Sequence, residues 1–224
     1  MESKVLGLLP ARGGSKGIIK KNLRKVAGKP LVAWASSVLS NSQGVDRKIC
    51  CTDDSEIAKV AREYGLETPW IRPSELSQDS TLVVDVLVHA VEKLSVDTKF
   101  PFTHVVLVQA TSPTVTSADI EGAIKMAIET NADTVITGFD AGEKHPARMF
   151  KFNNSNTVEW LFEVPARMVR RQDLKQVFIR TGLVYVVKVE TLFKYNSLYG
   201  PNIQSIIVPE EKAINIDEEK DILL

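Results

Sequence analysis

The chain has 224 residues, 44% of them hydrophobic, and 28 basic side chains balance 28 acidic ones. This predicts an ordinary globular protein with one core and removes the broad positive field needed to bind nucleic acid or an anionic membrane. Apolar runs fall short of the roughly twenty residues of a membrane helix. The N-terminus lacks the basic and apolar regions of a secretion signal, so a cytoplasmic location without membrane contact is expected.

Taken in order, the chain opens on Leu6-Gly7-Leu8-Leu9, an apolar run that predicts a buried strand. It leads into Pro10-Ala11-Arg12-Gly13-Gly14-Ser15-Lys16-Gly17-Ile18-Ile19-Lys20-Lys21-Asn22. Three glycines let backbone N–H groups turn toward an anion, and Arg12, Lys16 and Lys21 supply charge suited to a polyphosphate. Two familiar phosphate loops do not match. Gly28-Lys29 is followed by Pro30, which has no hydroxyl for magnesium, and Gly13-Gly14-Ser15-Lys16-Gly17 lacks the G-x-G-x-x-G spacing. From this stretch alone, a strand-to-helix loop with solvated lysines is the alternative.

A helix is expected over residues 31–39, with Leu31, Trp34, Ala35 and Val38 on one side and Pro30 at its start. Residues 48–52 read as a strand in which Cys50 and Cys51 face opposite ways as buried thiols, not a disulfide. Ser55 is a cap for a helix over 56–64 that stops at Gly65, completing a βαβ unit. Thr52-Asp53-Asp54 suits either ligand binding at the strand end or helix capping.

Residues 66–71 look extended and run into Arg72-Pro73-Ser74-Glu75-Leu76, then Asp79-Ser80-Thr81 before a helix over 82–94. Ser80 and Thr81 suit a helix cap as well as a ligand contact. A strand over 104–108 ends at Gln109-Ala110-Thr111-Ser112-Pro113, followed by a helix over 119–129 and a strand over 134–138. Repeated strand and helix mark a Rossmann-like, doubly wound α/β sheet, mostly parallel. Over residues 140–176 the rhythm breaks. Short β-like pieces at 149–152 and 158–162 precede Arg167, Arg170, Arg171 and Gln172, and clustered arginines are commonly solvated. His145, beside a proline, reads as structural or exposed. Sheet returns over 176–189 and 203–208, and the chain closes on Asn215-Ile216-Asp217-Glu218-Glu219-Lys220-Asp221.

The loop motif L-P-A-R-G-G-S-K-G-I-x-x-K-N, with Ala27-Gly28-Lys29-Pro30-Leu31 after it, resembles the signature of the acylneuraminate cytidylyltransferases, the CMP-sialic acid synthetases. The resemblance extends over nearly the whole chain through six separated motifs. It implies a single cytidylyltransferase domain over 1–224, with 140–176 as an inserted lobe through which a homodimer forms. The implied reaction joins CTP to a nine-carbon 2-keto sugar acid, a nonulosonic acid, with Mg²⁺ as cofactor, releasing the CMP-sugar and pyrophosphate. Arg12, Lys16, Lys21 and Arg171 would be catalytic. Ala11, Ser15, Asn22, Arg72, Ser80, Thr81, Gln109, Arg170, Gln172 and Thr181 would bind substrate, and Asp217 and Asn215 would serve the metal.

Two departures from the family pattern stand out. Thr181 occupies a position where asparagine is usual, which bears on the sugar's substituents. Asn215 replaces the first aspartate of the family's D-I-D-x-x-x-D motif, leaving Asp217 as the charged ligand and Asp221 as a helix-start or second-layer residue. The loop and the R-R-Q cluster differ from the pattern of the 3-deoxyoctulosonate synthetases. Legionaminate, pseudaminate and a non-catalytic CTP-binding role are the alternatives.

Overall fold

A strand without polar alternation is stable only when both faces are covered. β1 (Val5–Pro10) meets this condition, with Val5 to Leu9 all buried. The computed structural model describes residues 3–97, 102–162, 170 and 174–223. After β1 come β2 (Lys25–Val26), β3 (Lys29–Pro30), α1 (Leu31–Asn41), β4 (Arg47–Cys51), α2 (Ser55–Glu63) and α3 (Val83–Asp97). They are followed by β5 (His104–Val108), α4 (Ser117–Thr130), β6 (Thr134–Asp140), β7 (Phe150–Phe152) and β8 (Val158–Trp160). β9 (Phe178–Lys188), α5 (Val189–Tyr195) and β10 (Ile203–Ile207) complete the series.

Among the described residues the central sheet has six strands in the order β10-β6-β9-β5-β1-β4. β1 lies parallel to both β4 and β5, and β10 lies parallel to β6. β9 runs antiparallel between β5 and β6, so the expected mostly parallel sheet is found with one reversed strand. Two apolar layers cover it. Residues of α1, α2 and α4, such as Leu39, Ile57 and Ile120, pack on one face. Leu87 and Val91 of α3 with Leu192 of α5 pack on the other. Cys50 belongs to the first layer and Cys51 to the second, both free and buried as the alternation requires. Burial pushes their thiols up to about 12 and about 11, which leaves them protonated and unreactive.

Local chemistry explains most element ends, with one correction. Asp54, not Ser55, caps α2: its extended backbone directs Oδ1 to the N–H groups of Glu56 and Ile57 at 2.7 and 3.1 Å, and Ser55 is already helical. Thr116 and Asp119 form a reciprocal capping box on α4. Residues 66–71 make a single bridge, Glu67 to Ile49, in place of a strand. The β2–β3 hairpin is an addition to the expected elements. Its turn residues Ala27 and Gly28 have φ of 46° and 84°, the left-handed pair that a two-residue hairpin turn needs.

The predicted lobe contains the β7–β8 hairpin, which among the described residues pairs only with itself. Phe150 stacks edge-on against Phe152 and Trp160, with ring centroids 5.7 and 5.8 Å apart. Met149, Phe152, Trp160 and Phe162 stay exposed. His145 is structural: Nδ1 accepts the Ala147 N–H and Nε2 donates to the Lys175 carbonyl, both at 3.0 Å, tying the start of the lobe to its end.

Candidate active site

The C-terminal ends of neighbouring parallel strands point the same way, and the backbone leaving them opens a crevice. Here the loop after β1, Asp53 and Asp54 after β4, and Gln109 to Thr111 after β5 meet along such an edge. Arg12, Lys21, Asn22, Arg72, Thr81 and Gln109 line one cleft of about 290 Å³, with Leu76, Val83 and Val86 as part of its apolar wall. An apolar wall facing cations and amides suits a ring joined to an anionic chain.

The loop is fixed from several sides. Ser15 donates to the Ile18 carbonyl and accepts the Lys21 N–H at 3.2 Å, closing the turn on itself. Gly13 N–H donates to Asp53 Oδ1 at 3.0 Å. Ile18 is buried with Leu31 and Ile216, whereas its neighbour Ile19 is 85% exposed. This small apolar cluster fastens the loop to the C-terminal segment. Ile216 N–H in turn donates to the Thr111 carbonyl at 2.8 Å, joining that segment to the end of β5.

The polar side chains of the cleft are held by named partners. Asn22 Nδ2 donates to the Arg12 carbonyl at 2.8 Å, and its Oδ1 is buried without a partner among the described residues, an acceptor suited to a ligand donor. Arg72 has a side chain only 4% exposed; its Nε donates to Ser77 Oγ at 3.0 Å, and Asp53 lies 3.6 Å from the guanidinium. A buried guanidinium with a nearby carboxylate keeps its direction, because turning away would strand the charge. Gln109 lies against Gly182, where an added Cβ would stand 2.7 Å from Oε1. Glycine at 182 therefore gives the amide its place in the cleft.

Beside the cleft, Lys21 Nζ is 2.7 Å from Asp217 Oδ1. Asn215 directs its amide N–H toward the other oxygen of Asp217, so it orients the carboxylate. Asp221 Oδ2 accepts the N–H groups of Glu218 and Asp217 at 2.8 and 2.9 Å, and these two donors hold its carboxyl below the usual range. Asp221 is thus the helix-start residue of the sequence reading. A third acid, Asp79, touches both Arg12 and Lys16 at 2.5 Å.

Several expected site residues lie elsewhere. Lys16 and Ser15 belong to the loop without lining the cleft. Ser80 is exposed and outside the cleft, and neither it nor Thr81 caps α3, which begins at Val83. Thr81 instead donates to the Glu75 carbonyl at 3.3 Å and accepts the Gln78 N–H at 3.1 Å. Thr181 is buried and bonded to the Thr137 hydroxyl at 2.6 Å, turned into the sheet. Arg170 is exposed and does not line the cleft. Arg171 and Gln172 lie outside the described residues. Sequence reasoning missed the roles of Asp53 and Asp79, because a carboxylate's cationic partner from another segment leaves no local signal.

A doubly wound sheet whose strand ends present a cation-lined cleft is the architecture of an α/β protein that binds an anionic ligand at its strand ends. The chain belongs to the cytidylyltransferase family, whose model matches residues 6–196. A pseudaminic acid cytidylyltransferase of Campylobacter jejuni is 26% identical over 219 residues, covering 98% of this chain and 93% of the relative. A CMP-N,N'-diacetyllegionaminic acid synthase of the same species is 27% identical, covering 98% and 92%. An N-acylneuraminate cytidylyltransferase of Streptococcus agalactiae is also 27% identical, covering 98% of this chain and 52% of the relative. Among solved structures, a CMP:2-keto-3-deoxy-manno-octonic acid synthetase complexed with CTP has a TM-score of 0.69 at 18% identity, covering 97% of this chain and 95% of its own. That likeness establishes the shared fold.

Proposed function

We propose that this cytidylyltransferase activates a nine-carbon 2-keto sugar acid with CTP, yielding the CMP-sugar and pyrophosphate. The observation that carries the reading is the convergence of Arg12, Lys21, Asn22, Arg72 and Gln109 on one cleft at the strand ends. Whole-length similarity to enzymes named for pseudaminic and legionaminic acids supports an acidic nonulosonate as acceptor. The sugar's anomeric hydroxyl oxygen attacks the α-phosphorus and releases its proton to solvent, the bond to the bridging oxygen breaks, and pyrophosphate leaves with the electron pair. Arg12, Lys16 and Lys21 hold the triphosphate and take up the charge that grows on the leaving group. Arg72 and the unpartnered Oδ1 of Asn22 fix the nucleotide, and the Gln109 amide, which both donates and accepts, reads the base. Ala11 and Ser15 shape the loop backbone around the phosphates.

Of the acids beside the cleft, Asp217 would suit Mg²⁺. This ion needs only one or two carboxylates, its other positions being filled by water and substrate phosphates. Among the described residues no cluster of three or more histidine, cysteine or acidic side chains is placed to hold a metal. Asp217, its carboxylate half exposed beside Lys21, would be the protein ligand, with Asn215 orienting it. When bound, the ion supplies Lewis-acid charge at the phosphates. Replacing the neutral amide by a second carboxylate, Asn215→Asp, is expected to lower the Mg²⁺ concentration for half-maximal activity. A metal titration of both enzymes checks this, and an unchanged midpoint removes Asn215 from the metal site.

We further propose a homodimer formed through the 140–176 lobe. The exposed aromatic and aliphatic side chains of the β7–β8 hairpin support it, since apolar patches of this kind mark interfaces. Arg170, Arg171 and Gln172 on this lobe would serve the sugar acid and triphosphate. Among the described residues no helix is long and apolar enough to cross a membrane; a cytoplasmic location is part of the proposal.

The test is pyrophosphate release from CTP and Mg²⁺ with N-acetylneuraminate, 3-deoxynonulosonate, legionaminate, pseudaminate and 3-deoxyoctulosonate in parallel. Release with a nine-carbon acid is expected. Release with 3-deoxyoctulosonate alone, or silence in every well, overturns the reading.

A further inference from the structure

Arg12 and Lys16, the two cations assigned to the triphosphate, already share an anion. Asp79 Oδ1 lies 2.5 Å from Arg12 Nη1, and Asp79 Oδ2 lies 2.5 Å from Lys16 Nζ. One carboxylate thus spans two cations from different turns of the loop, as a phosphate group would. Asp79 comes from a different segment, between the single 3-10 turn Ser74–Leu76 and α3, and it lines the cleft together with Arg12. Hydrogen bonds from Lys16 and then Arg12 hold its carboxyl below the usual range, so it remains an anion throughout the neutral region.

We propose that Asp79 is an internal stand-in for phosphate. It occupies Arg12 and Lys16 in the free enzyme, gives way to the phosphates of CTP, and returns to displace pyrophosphate after transfer. The proposal rests on the reading that Arg12 and Lys16 take the triphosphate. A phosphate that takes the N–H groups now aimed at Asp79 meets a second anion there, so its binding competes with both ion pairs. The pairs are partly exposed, and exposed pairs are individually weak. The displacement is therefore modest and reversible, suited to an anion that must enter and leave in every cycle. After the α-phosphorus has moved to the sugar, pyrophosphate remains on the same cations. The tethered carboxylate then competes with it at a high effective concentration and speeds its departure.

Calorimetric titration with CTP, pyrophosphate and cytidine, done on the intact protein, tests this directly. Asp79→Asn is expected to bind CTP and pyrophosphate roughly fivefold tighter, the order expected for losing two weak ion pairs that compete with the ligand. Cytidine, which has no phosphate, should bind with unchanged affinity. Pyrophosphate should also inhibit turnover of Asp79→Asn at correspondingly lower concentration. Glu75→Gln removes an exposed charge from the same segment and should leave all three affinities unchanged. Equal or weaker pyrophosphate binding by Asp79→Asn overturns the proposal, as does equal tightening by Glu75→Gln, which would reveal a general field effect. Arg12→Ala separates the two layers of argument. It should weaken CTP binding, and unchanged CTP affinity in that variant would remove the assigned phosphate seat itself.

Discussion

Lys21→Ala is expected to lower pyrophosphate release at least about a hundredfold, the scale found when one preorganised charge is removed from a developing anion. Lys21 follows a loop pinned by the Ser15 hydroxyl and the Ile18 cluster, and its side chain is 15% exposed at the cleft. Its ammonium is 2.7 Å from Asp217, so the charge is already positioned and needs little reorganisation when phosphate arrives. A solvated lysine would lack this advantage, because water would reorient with every charge movement. Asp217→Ala is expected to cause a loss of similar scale by removing the proposed metal ligand. Asp217, the more exposed partner of this single pair, opens it to solvent, where an ion pair adds little stability. The melting temperature should therefore stay within about 3 °C of the parent while activity collapses. Full turnover by either variant would discard the role assigned to that residue.

The second large effect concerns two loop glycines that look equivalent in the sequence. At Gly17 an added Cβ would lie 2.5 Å from the backbone carbonyl oxygen of Asp217, a contact that no rotamer change relieves. At Gly14 an added Cβ would meet nothing within 4 Å. Gly17→Ala must push the phosphate loop away from the Asp217 segment, and Ile18, buried beside Ile216, resists that shift. Turnover is expected to fall at least about tenfold, since small displacements of positioned groups cost this much or more. Gly14→Ala should stay within about twofold of the parent. Parallel assays of pyrophosphate release decide the matter. Equal loss in both variants would mean that backbone freedom throughout the loop matters, and that the approach to Asp217 does not.

Most of the scaffold was legible because its signals are local. The apolar run before Pro10, the Pro30 boundary, the strand over 104–108 and the alternating β and α segments each depend on neighbouring residues, and the structure places elements at all of them. The cation-rich glycine loop was legible for the same reason, since its charge and its backbone freedom are written within a dozen positions. Element ends were less secure. Ser55 and Asp54 are both good caps, and only the extended backbone at Asp54 selects between them.

What the sequence by itself determined is the α/β alternation, the buried thiols, the phosphate-type loop and the set of polar residues at the strand ends. Its motifs also carried the resemblance to a family that the whole-chain match then established. Only the tertiary structure decided which of those residues share a cleft. It turned Thr181 inward to the Thr137 hydroxyl, left Ser80 outside, brought Arg72 beside Asp53, and set Asp79 on Arg12 and Lys16. The physical reason is separation along the chain. Lys21 and Asp217 are 196 positions apart, and a pairing across that distance depends on how the sheet orders its strands and on the packing of Ile18 against Ile216.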